Sequence, residues 1–296
     1  MRIRATVAAV SGALALSAFV VPAAHATGAD SAYRAAAAKA LSHSASGKTA
    51  FTAVTATAPV GPLHVSFSNL KIAKAVKVGT THQVTTTVSY TLTHGADINI
   101  ASTDFANGPF IYKGSSTAPS NLLFGYDAAK CTATSATTAS CKGPIDIHPS
   151  ADQADLTNSD AGTWHAGVMA LKYSQDNSAT MQYGLGTTLV QRFSQLTVNA
   201  SPEPVVKGKT LTVTGKLSRA NWEDNHYHGY TKQPVKLQFR KAGTSTYTTV
   251  KTVYTDAYGV AKTTTTAHYD GYWRYSFAGT TTTPAVNATG DYVDVK

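Results

Sequence analysis

The sequence contains few of the residue types on which metal sites and covalent catalysis most often depend. Its 296 residues include two cysteines, two glutamates and 14% charged residues, against roughly 25% charged residues in an ordinary soluble domain. Two cysteines without neighbouring histidines argue against a structural zinc site, which takes four ligands. Threonine and serine occupy many polar positions instead, and β-branched threonine favours the exposed faces of β-strands.

Common catalytic motifs are also missing. The chain has neither Gly-x-Ser-x-Gly nor His-Glu-x-x-His, two patterns typical of hydrolases. The Gly-Lys-Thr pieces at 47–49 and 208–210 look like the ends of phosphate-binding loops, but Ser42 and Glu203 occupy the position of the required earlier glycine. The sequence therefore predicts a protein that is not an enzyme and holds no nucleotide cofactor.

The excess of basic residues is diffuse. The formal net charge is +9, yet no run of basic residues is interleaved with aromatic residues. A nucleic-acid partner requires a concentrated basic stripe, so none is expected. Diffuse positive charge suits adhesion to an acidic cell-wall polymer, or only a solvated surface, and both interpretations stay open.

The N-terminus has the composition of a cleaved export signal. Arg2 and Arg4 precede a stretch of small apolar residues, and Ala24-His25-Ala26 places small residues at a signal-peptidase site. We expect a signal peptide over residues 1–26 and a flexible, Ala-rich leader over 27–50. The mature protein is expected to be secreted and extracellular, with no membrane span.

An isolated pair of cysteines lies in the segment CTATSATTASC. In an exported chain such a close pair predicts a disulfide bond between Cys131 and Cys141 across a hairpin or loop. The short closed loop would stabilise the fold by about 2–3 kcal/mol in the chain-entropy model.

Alternation of apolar and polar residues predicts β-strands along the rest of the chain. The densest signal lies in 234–277, where one row of side chains faces a core and the other faces water. Its predicted core residues are Val235, Leu237, Phe239, Trp273, Tyr275 and Phe277. The pattern predicts an all-β chain of two tandem antiparallel β-sandwich modules, over 51–194 and 195–296.

The second module resembles bacterial immunoglobulin-like domains. The resemblance lies in SPEPVVKGKTLTVTGKLSRANW, VKLQFRKAGTSTYTTVKTV and DGYWRYSFAGTTTTPAVNATGDYVDVK. In the first module, SYTLTHGAD, FANGPF and NSDAGTW look like a companion domain of secreted actinobacterial proteins, some of which are labelled calcium-binding. The resemblance implies an Ig-like fold and export, and it supplies no catalytic residues.

Oxygen ligands cluster in one polar segment of the first module. They are Asp152, Asp155, Asn158 and Asp160. Hard oxygen ligands on a loop are what calcium takes, so this segment is the candidate calcium site, although its spacing is not that of an EF-hand. A solvated polar loop remains the alternative.

Aromatic residues concentrate in a second polar segment, RANWEDNHYHGYTKQ. Trp222, Tyr227 and Tyr230 make it the candidate binding site, because aromatic rings offer a large contact area with a polar group attached. We expect an ordered, exposed loop, since it is long for a hairpin connection. The alternatives are rings that cap the core and a metal site at His226 and His228.

Three functions follow from these patterns. The first is a secreted, non-catalytic Ig-like protein that binds or adheres to an extracellular protein or a cell-envelope polysaccharide. The second is a calcium-binding structural protein, and the third is a hydrolase with an accessory Ig-like module. Carboxylates that converge in a cleft of the first module would favour the hydrolase.

Overall fold

The computed structural model describes residues 28–45, 63–149, 155–173 and 178–296. These residues form nineteen β-strands and one α-helix, so the predicted all-β fold class is confirmed. The predicted signal peptide lies outside the described residues.

The chain divides into two compact units. Of the described residues, those within Met1–Val76, Gln83–His148 and Thr163–Leu189 form unit 1, and those within Lys77–His82, Pro149–Gly162 and Val190–Lys296 form unit 2. The sequence analysis divided the chain once, between 194 and 195, and assigned 77–82 and 149–162 to the first module. Alternation along strands could not reveal these two segments, because their assignment depends on contacts with distant residues.

One sheet of unit 1 has four antiparallel strands. They are β1 (Val65–Lys71), β3 (Val84–His94), β6 (Lys130–Ala133) and β7 (Thr138–Ile147). Their order is β1-β3-β7-β6. In β3 the side chains of Val88, Tyr90 and Leu92 are buried and alternate with more exposed neighbours. This is the alternation that the sequence predicted.

The second sheet has five strands. They are β2 (Ala75–Val78), β4 (Phe105–Gly114), β5 (Pro119–Phe124), β8 (Gly162–Lys172) and β9 (Ser178–Arg192). Their order is β2-β9-β8-β4-β5. Most residues of β4 and β8 are buried, in runs of consecutive positions. Strands covered on both faces lose alternation, which explains the irregular apolar pieces in this part of the sequence.

Side chains of β9 reach the outer edge of β1. The Gln182 amide accepts a hydrogen bond from Phe67 N at 2.8 Å and donates one to Phe67 O at 2.9 Å. Just before β1, Leu63 N donates to Thr180 Oγ1 at 3.1 Å. These bonds satisfy backbone groups that β1, as an edge strand, cannot pair within its own sheet.

The predicted disulfide is confirmed. Cys131 on β6 and Cys141 on β7 are register partners, and their sulfur atoms are bonded at 2.02 Å. The Cα atoms are 4.1 Å apart. The bond therefore joins two neighbouring strands of one sheet.

Helix α1 occupies Gly28–Ala45, which corrects the prediction of a flexible leader over these residues. Its buried side chains are Tyr33, Ala36, Ala37 and Leu41, which share one face of the helix. They pack in a cluster with Phe110, Tyr112, Leu122, Phe124, Met169, Leu171 and Met181. The sheet supplies the large apolar surface that the Ala-rich helix lacks, and no periodicity within 28–45 could indicate this.

No helix in the described ranges is long and apolar enough to cross a membrane. This finding concerns α1, the one α-helix there.

Unit 2 is an antiparallel sandwich. One sheet is built around the long strand β12; its strands are β10 (Ser194–Leu196), β11 (Asn199–Ser201), β12 (Thr210–Asn221), β13 (His226–Gly229) and β16 (Val260–Thr266). The other is built around β14 and β17; its strands are β14 (Pro234–Lys241), β15 (Thr248–Tyr254), β17 (Gly271–Phe277), β18 (Val286–Asn287) and β19 (Asp291–Val293).

The core of unit 2 contains the predicted residues. Val235, Leu237, Trp273, Tyr275 and Phe277 are each at most 5% exposed, and Phe239 is half-buried against the same cluster. The Tyr275 hydroxyl donates to Val213 O at 3.0 Å, which joins the two sheets through the core. The predicted β-sandwich is therefore confirmed.

Candidate functional site

The predicted aromatic loop is a β-hairpin. Strand β12 ends at Asn221, β13 begins at His226, and these two residues are register partners. The connection is the four-residue turn 222–225, and Asn225 takes a left-handed backbone angle of 60°. The prediction of a long loop is wrong because polar His226 and His228 alternate with Tyr227 in an exposed strand, which the sequence analysis did not recognise.

Trp222 is buried, so the prediction that it is an exposed contact residue is wrong. Its side chain is 2% exposed, and its indole Nε1 donates to Gly79 O at 3.0 Å. Its backbone N donates to Asn158 Oδ1 at 3.1 Å. The indole therefore anchors the hairpin within unit 2, with its hydrogen-bond donor satisfied.

Tyr227 and Tyr230 are half-buried. Burial raises the pKa of Tyr227. The Tyr230 ring packs edge to face on Phe277, with centroids 5.8 Å apart, and the Arg219 guanidinium carbon lies 3.8 Å from its centre. Tyr230 therefore caps the core, as the alternative interpretation of this segment proposed.

Two arginines lie beside this hairpin. Arg192 is 8% exposed and donates from Nε to Ala220 O at 2.6 Å, and Arg219 Nη1 donates to Thr283 Oγ1 at 3.2 Å. Burial, together with the charge of Arg219, lowers the pKa of Arg192 to about 10. The carboxylates of Glu223 and Asp224 act in the opposite direction, so the positive charge here is partly balanced.

Both histidines of the hairpin lie close to Asp224. His228 Nε2 lies 2.6 Å from Asp224 Oδ2, and His226 Nδ1 lies 2.6 Å from Asp224 O. Burial alone would raise the pKa of Asp224, but hydrogen bonds from His226 N and from His228 lower it. No three His, Cys, Asp or Glu residues of the described chain form a group that could hold a metal ion.

The candidate calcium ligands are divided among other interactions. Asp152 lies outside the described residues, and Asp155 is buried. Asn158 donates to Asn221 Oδ1 at 2.6 Å and to Glu223 Oε2 at 2.8 Å. Asp160 Oδ2 accepts from Thr157 N at 2.7 Å and from its hydroxyl at 2.9 Å, which closes the 3-10 turn Asn158–Asp160.

A buried carboxylate of unit 1 also has structural partners. Asp146 accepts hydrogen bonds from the side chains of Gln83 and Thr85 and from Tyr126 N. His148 lies 2.9 Å from Gln83 Oε1 and 3.2 Å from the Tyr126 hydroxyl. A hydrolase of the predicted kind would need two carboxyl groups that flank the substrate bond it cleaves. The hydrogen-bond donors to Asp146 given above include no carboxyl group.

A row of tyrosines and arginines covers the outward face of the β14–β17 sheet, and sequence analysis missed it. The Arg274 guanidinium carbon lies 3.8 Å from the centre of the Tyr247 ring. Arg240 lies 5.3 Å from that ring and 4.0 Å from the Tyr272 ring. Tyr272 packs on Tyr292 at 5.1 Å. These five residues are called the Tyr–Arg row below.

Strand register explains the row. Arg240 and Tyr272 are partners on β14 and β17, and Tyr272 and Tyr292 are partners on β17 and β19. Partner residues share a face, so the side chains meet above the sheet. The sequence signal was the polar half of the alternation in 234–277, from which we predicted solvent exposure alone.

The Tyr–Arg row contains no ion pair. In the described ranges, no carboxylate lies within 4.0 Å of either guanidinium. Arg240 Nη1 instead donates to Thr244 O at 2.6 Å, and Arg274 Nε donates to Gln238 Oε1 at 2.9 Å. Stacking and these single bonds hold both groups in place at the surface.

Comparison with known proteins gives weak similarities. No family model and no curated protein matches the chain. The chain is similar to a protein from Corynebacterium diphtheriae whose name describes it as membrane anchored, with 13% identity and a TM-score of 0.26; the match covers 78% of this chain and 53% of that chain. The chain thus spans about half the length of that protein.

The chain is also similar to domains of Intimin. For the D0-D1 domain the identity is 16% and the TM-score 0.24, with 77% of this chain and 98% of that chain covered. For the D00-D0 domain the identity is 14% and the TM-score 0.25, and the match covers 77% of this chain and 99% of that chain. At these TM-scores no residue role is transferred, and the β-sandwich rests on the strands of this chain itself.

Proposed function

We propose that the mature protein is exported and is a non-catalytic binding protein of the extracellular space or the cell envelope. Its contact surface in this proposal is the Tyr–Arg row of unit 2. One observation carries the proposal: two guanidinium groups and three tyrosine rings are ordered side by side on an outward face, without an acidic partner in the described chain.

The composition of the row supports binding. Tyrosine and arginine are enriched among residues that dominate binding energies, because both bury large areas and keep hydrogen-bond donors. Stacking has already restricted Arg240 and Arg274, which reduces the entropy that a partner must offset. Tyr292 is 42% exposed and remains accessible at the end of the row.

Export is supported by the disulfide. Cys131 and Cys141 are oxidised to one another in unit 1. Disulfides of this kind persist in oxidising compartments and are rare in the cytosol. Together with the export signal expected over residues 1–26, this favours an extracellular or envelope location.

Cosedimentation with cell-envelope material tests the proposal. The double variant Arg240→Gln/Arg274→Gln should bind at least about tenfold more weakly than the unaltered mature chain, a loss of about 1.4 kcal/mol. The matched control is Lys216→Gln/Lys262→Gln, which removes the same charge from exposed positions of β12 and β16. Undiminished binding of the arginine variant, or an equal loss in the control, would refute a role for the row.

A further inference from the structure

The Tyr–Arg row retains unused hydrogen-bond donors. A guanidinium has five N–H donors. In the part of the chain that the structure describes, Arg240 uses its side chain for one bond, to Thr244 O, and Arg274 for one bond, to Gln238 Oε1. Donors therefore remain on both groups for a ligand, in the planar arrangement that matches a carboxylate.

The acidic residues near the row lie at its end and have partners. Asp270 Oδ1 accepts from Val295 N at 2.8 Å, and Asp294 Oδ2 lies 4.0 Å from Lys296 Nζ. Burial raises the pKa of Tyr292, and these two carboxylates add to the effect. Among the described residues, neither Arg240 nor Arg274 has a carboxylate within 4.0 Å, so both guanidinium groups are available to an acidic ligand.

A second group of cation–ring contacts lies outside the Tyr–Arg row. Lys241 Nζ lies 4.6 Å from the centre of the Tyr269 ring, and Lys207 Nζ lies 6.0 Å from it. Tyr269 is 55% exposed. Lys241 directly follows Arg240 in β14, and successive side chains of a strand point to opposite faces. The contacts of Tyr269 are therefore separate from the row.

The surroundings of the row are hydrophilic. Outward positions of the neighbouring strands include the polar residues Lys236, Gln238, Thr249, Thr252 and Ser276. On β15, Val250 and Tyr254 are also exposed, and Tyr254 lies opposite Pro234, at the end of β14 remote from Arg240. The centre of a protein–protein interface is usually apolar and depleted of charge. Val250 alone is a small aliphatic surface for such a centre, which disfavours a protein partner.

We propose that the Tyr–Arg row binds a linear acidic polysaccharide, that is, a chain of sugar rings that bear carboxylates. The exposed Tyr292 ring would stack on a sugar ring, and Arg240 and Arg274, which rest on the Tyr272 and Tyr247 rings, would bind the carboxylates through paired N–H donors. This inference rests on the proposed function and deepens it by naming the class of partner. The inference requires that the ligand contain both sugar rings and carboxylates.

Calorimetry can measure the binding of three soluble polymers to the mature full chain. Together they distinguish the contribution of sugar rings from that of carboxylates. Polygalacturonate has rings and carboxylates, dextran has rings alone, and polyglutamate has carboxylates alone. We expect polygalacturonate to bind at least about tenfold more tightly than either of the others. Its affinity should fall as salt is added, because exposed charges are screened.

Variants locate the site. Arg240→Gln/Arg274→Gln and Tyr272→Ala/Tyr292→Ala should each weaken polygalacturonate binding at least about tenfold, while the control Lys216→Gln/Lys262→Gln should not. Thermal melting of each variant checks that unit 2 is folded. If only the tyrosine variant loses its fold, Tyr292→Leu, which removes the exposed ring alone, replaces it and should weaken binding severalfold.

The outcomes separate this inference from the proposed function. Equal binding of polyglutamate, of dextran or of a DNA duplex would overturn the acidic polysaccharide, and so would row variants that bind polygalacturonate normally. If envelope binding depends on the row while polygalacturonate does not bind, the inference fails and the proposed function stands. If envelope binding is independent of the row, the proposed function fails.

Discussion

At the residue scale, the Tyr–Arg row depends on a glycine that contributes no side chain. A Cβ atom at Gly290 would lie 2.2 Å from the Tyr247 hydroxyl oxygen and 3.2 Å from Tyr272 Cβ. Closely packed atoms do not approach to 2.2 Å, so the ring would have to move. Gly290 therefore leaves the space that the Tyr247 ring occupies beside the two arginines.

Gly290→Ala should displace Tyr247 and weaken envelope binding severalfold, while the core of unit 2 stays intact. Cosedimentation and the denaturation midpoint measure the two effects. Tyr247→Phe removes the colliding oxygen, so the double variant Gly290→Ala/Tyr247→Phe should bind more tightly than Gly290→Ala alone. A double variant no better than the single one would contradict this explanation.

Single residues also show where sequence reasoning stops. Val235, Leu237 and Tyr275 were predicted correctly, because a strand buried on one face repeats every second residue. Trp222 was not, because the carbonyl that accepts its indole hydrogen bond, Gly79 O, is 143 residues away in the chain. The Tyr–Arg row was missed for the same reason, since it joins residues of several strands.

At the scale of elements, helix α1 is held by a few side chains, and one of them is imperfectly accommodated. Tyr33 is fully buried against Gly108, and its hydroxyl has no hydrogen-bond partner among the described residues. Burial raises the pKa of this hydroxyl, and the neighbouring Tyr173 and Asp127 add to the effect. A buried polar atom without a partner costs free energy.

Tyr33→Phe should therefore leave the stability of unit 1 unchanged or raise it by about 1 kcal/mol, because the variant removes the unsatisfied hydroxyl and keeps the ring. Tyr33→Ala should lower it by about 3–5 kcal/mol, since the ring is buried in the core. Chemical denaturation measures both. Marked destabilisation by Tyr33→Phe would show that the hydroxyl has a partner.

The disulfide between β6 and β7 should stabilise the strand pair that it joins. Its cysteines are 10 residues apart, and closing so short a loop stabilises by about 2–3 kcal/mol in the chain-entropy model. Cys131→Ser/Cys141→Ser should lose about that amount in chemical denaturation. The unaltered chain after reduction should match the variant, and a difference between them would indicate an effect of the serines themselves.

At the scale of the whole molecule, both units bury tyrosine hydroxyls. Burial raises the pKa of Tyr275 in unit 2 to about 12. Burial also raises the pKa of Tyr33 and Tyr90 in unit 1. An unfolded chain ionises its tyrosines near pH 10, so the folded chain holds these protons more tightly than the unfolded chain does.

Stability should consequently be insensitive to these groups below about pH 10 and should fall as the pH rises from about 10 to 12. Within that window, the ionisation of Tyr275 in the unfolded chain lowers the free energy of unfolding by up to about 1.4 kcal/mol per pH unit. Tyr275→Phe is less stable at neutral pH, since it loses the bond to Val213 O, but its stability should fall less steeply. Parallel curves would contradict the assignment.

The overall class could be predicted because strands are local signals that recur along the whole chain. The division into units could not, since 77–82 and the described residues of 149–162 are placed by contacts with residues far along the sequence. Helix α1 was not predicted for a similar reason. Tyr33 and Leu41 are the large buried side chains among those described in it, and the sheet beneath it provides the remaining apolar surface.

The pairing of Gln182 with Phe67 covers backbone groups at the edge of β1. An uncovered edge strand invites a strand from another molecule and can start aggregation. Because the amide of Gln182 occupies both backbone groups of Phe67, an incoming strand would first have to displace it. Gln182→Leu would uncover these backbone groups of β1, and we expect this variant to form oligomers or fibrils at lower concentration than the unaltered chain.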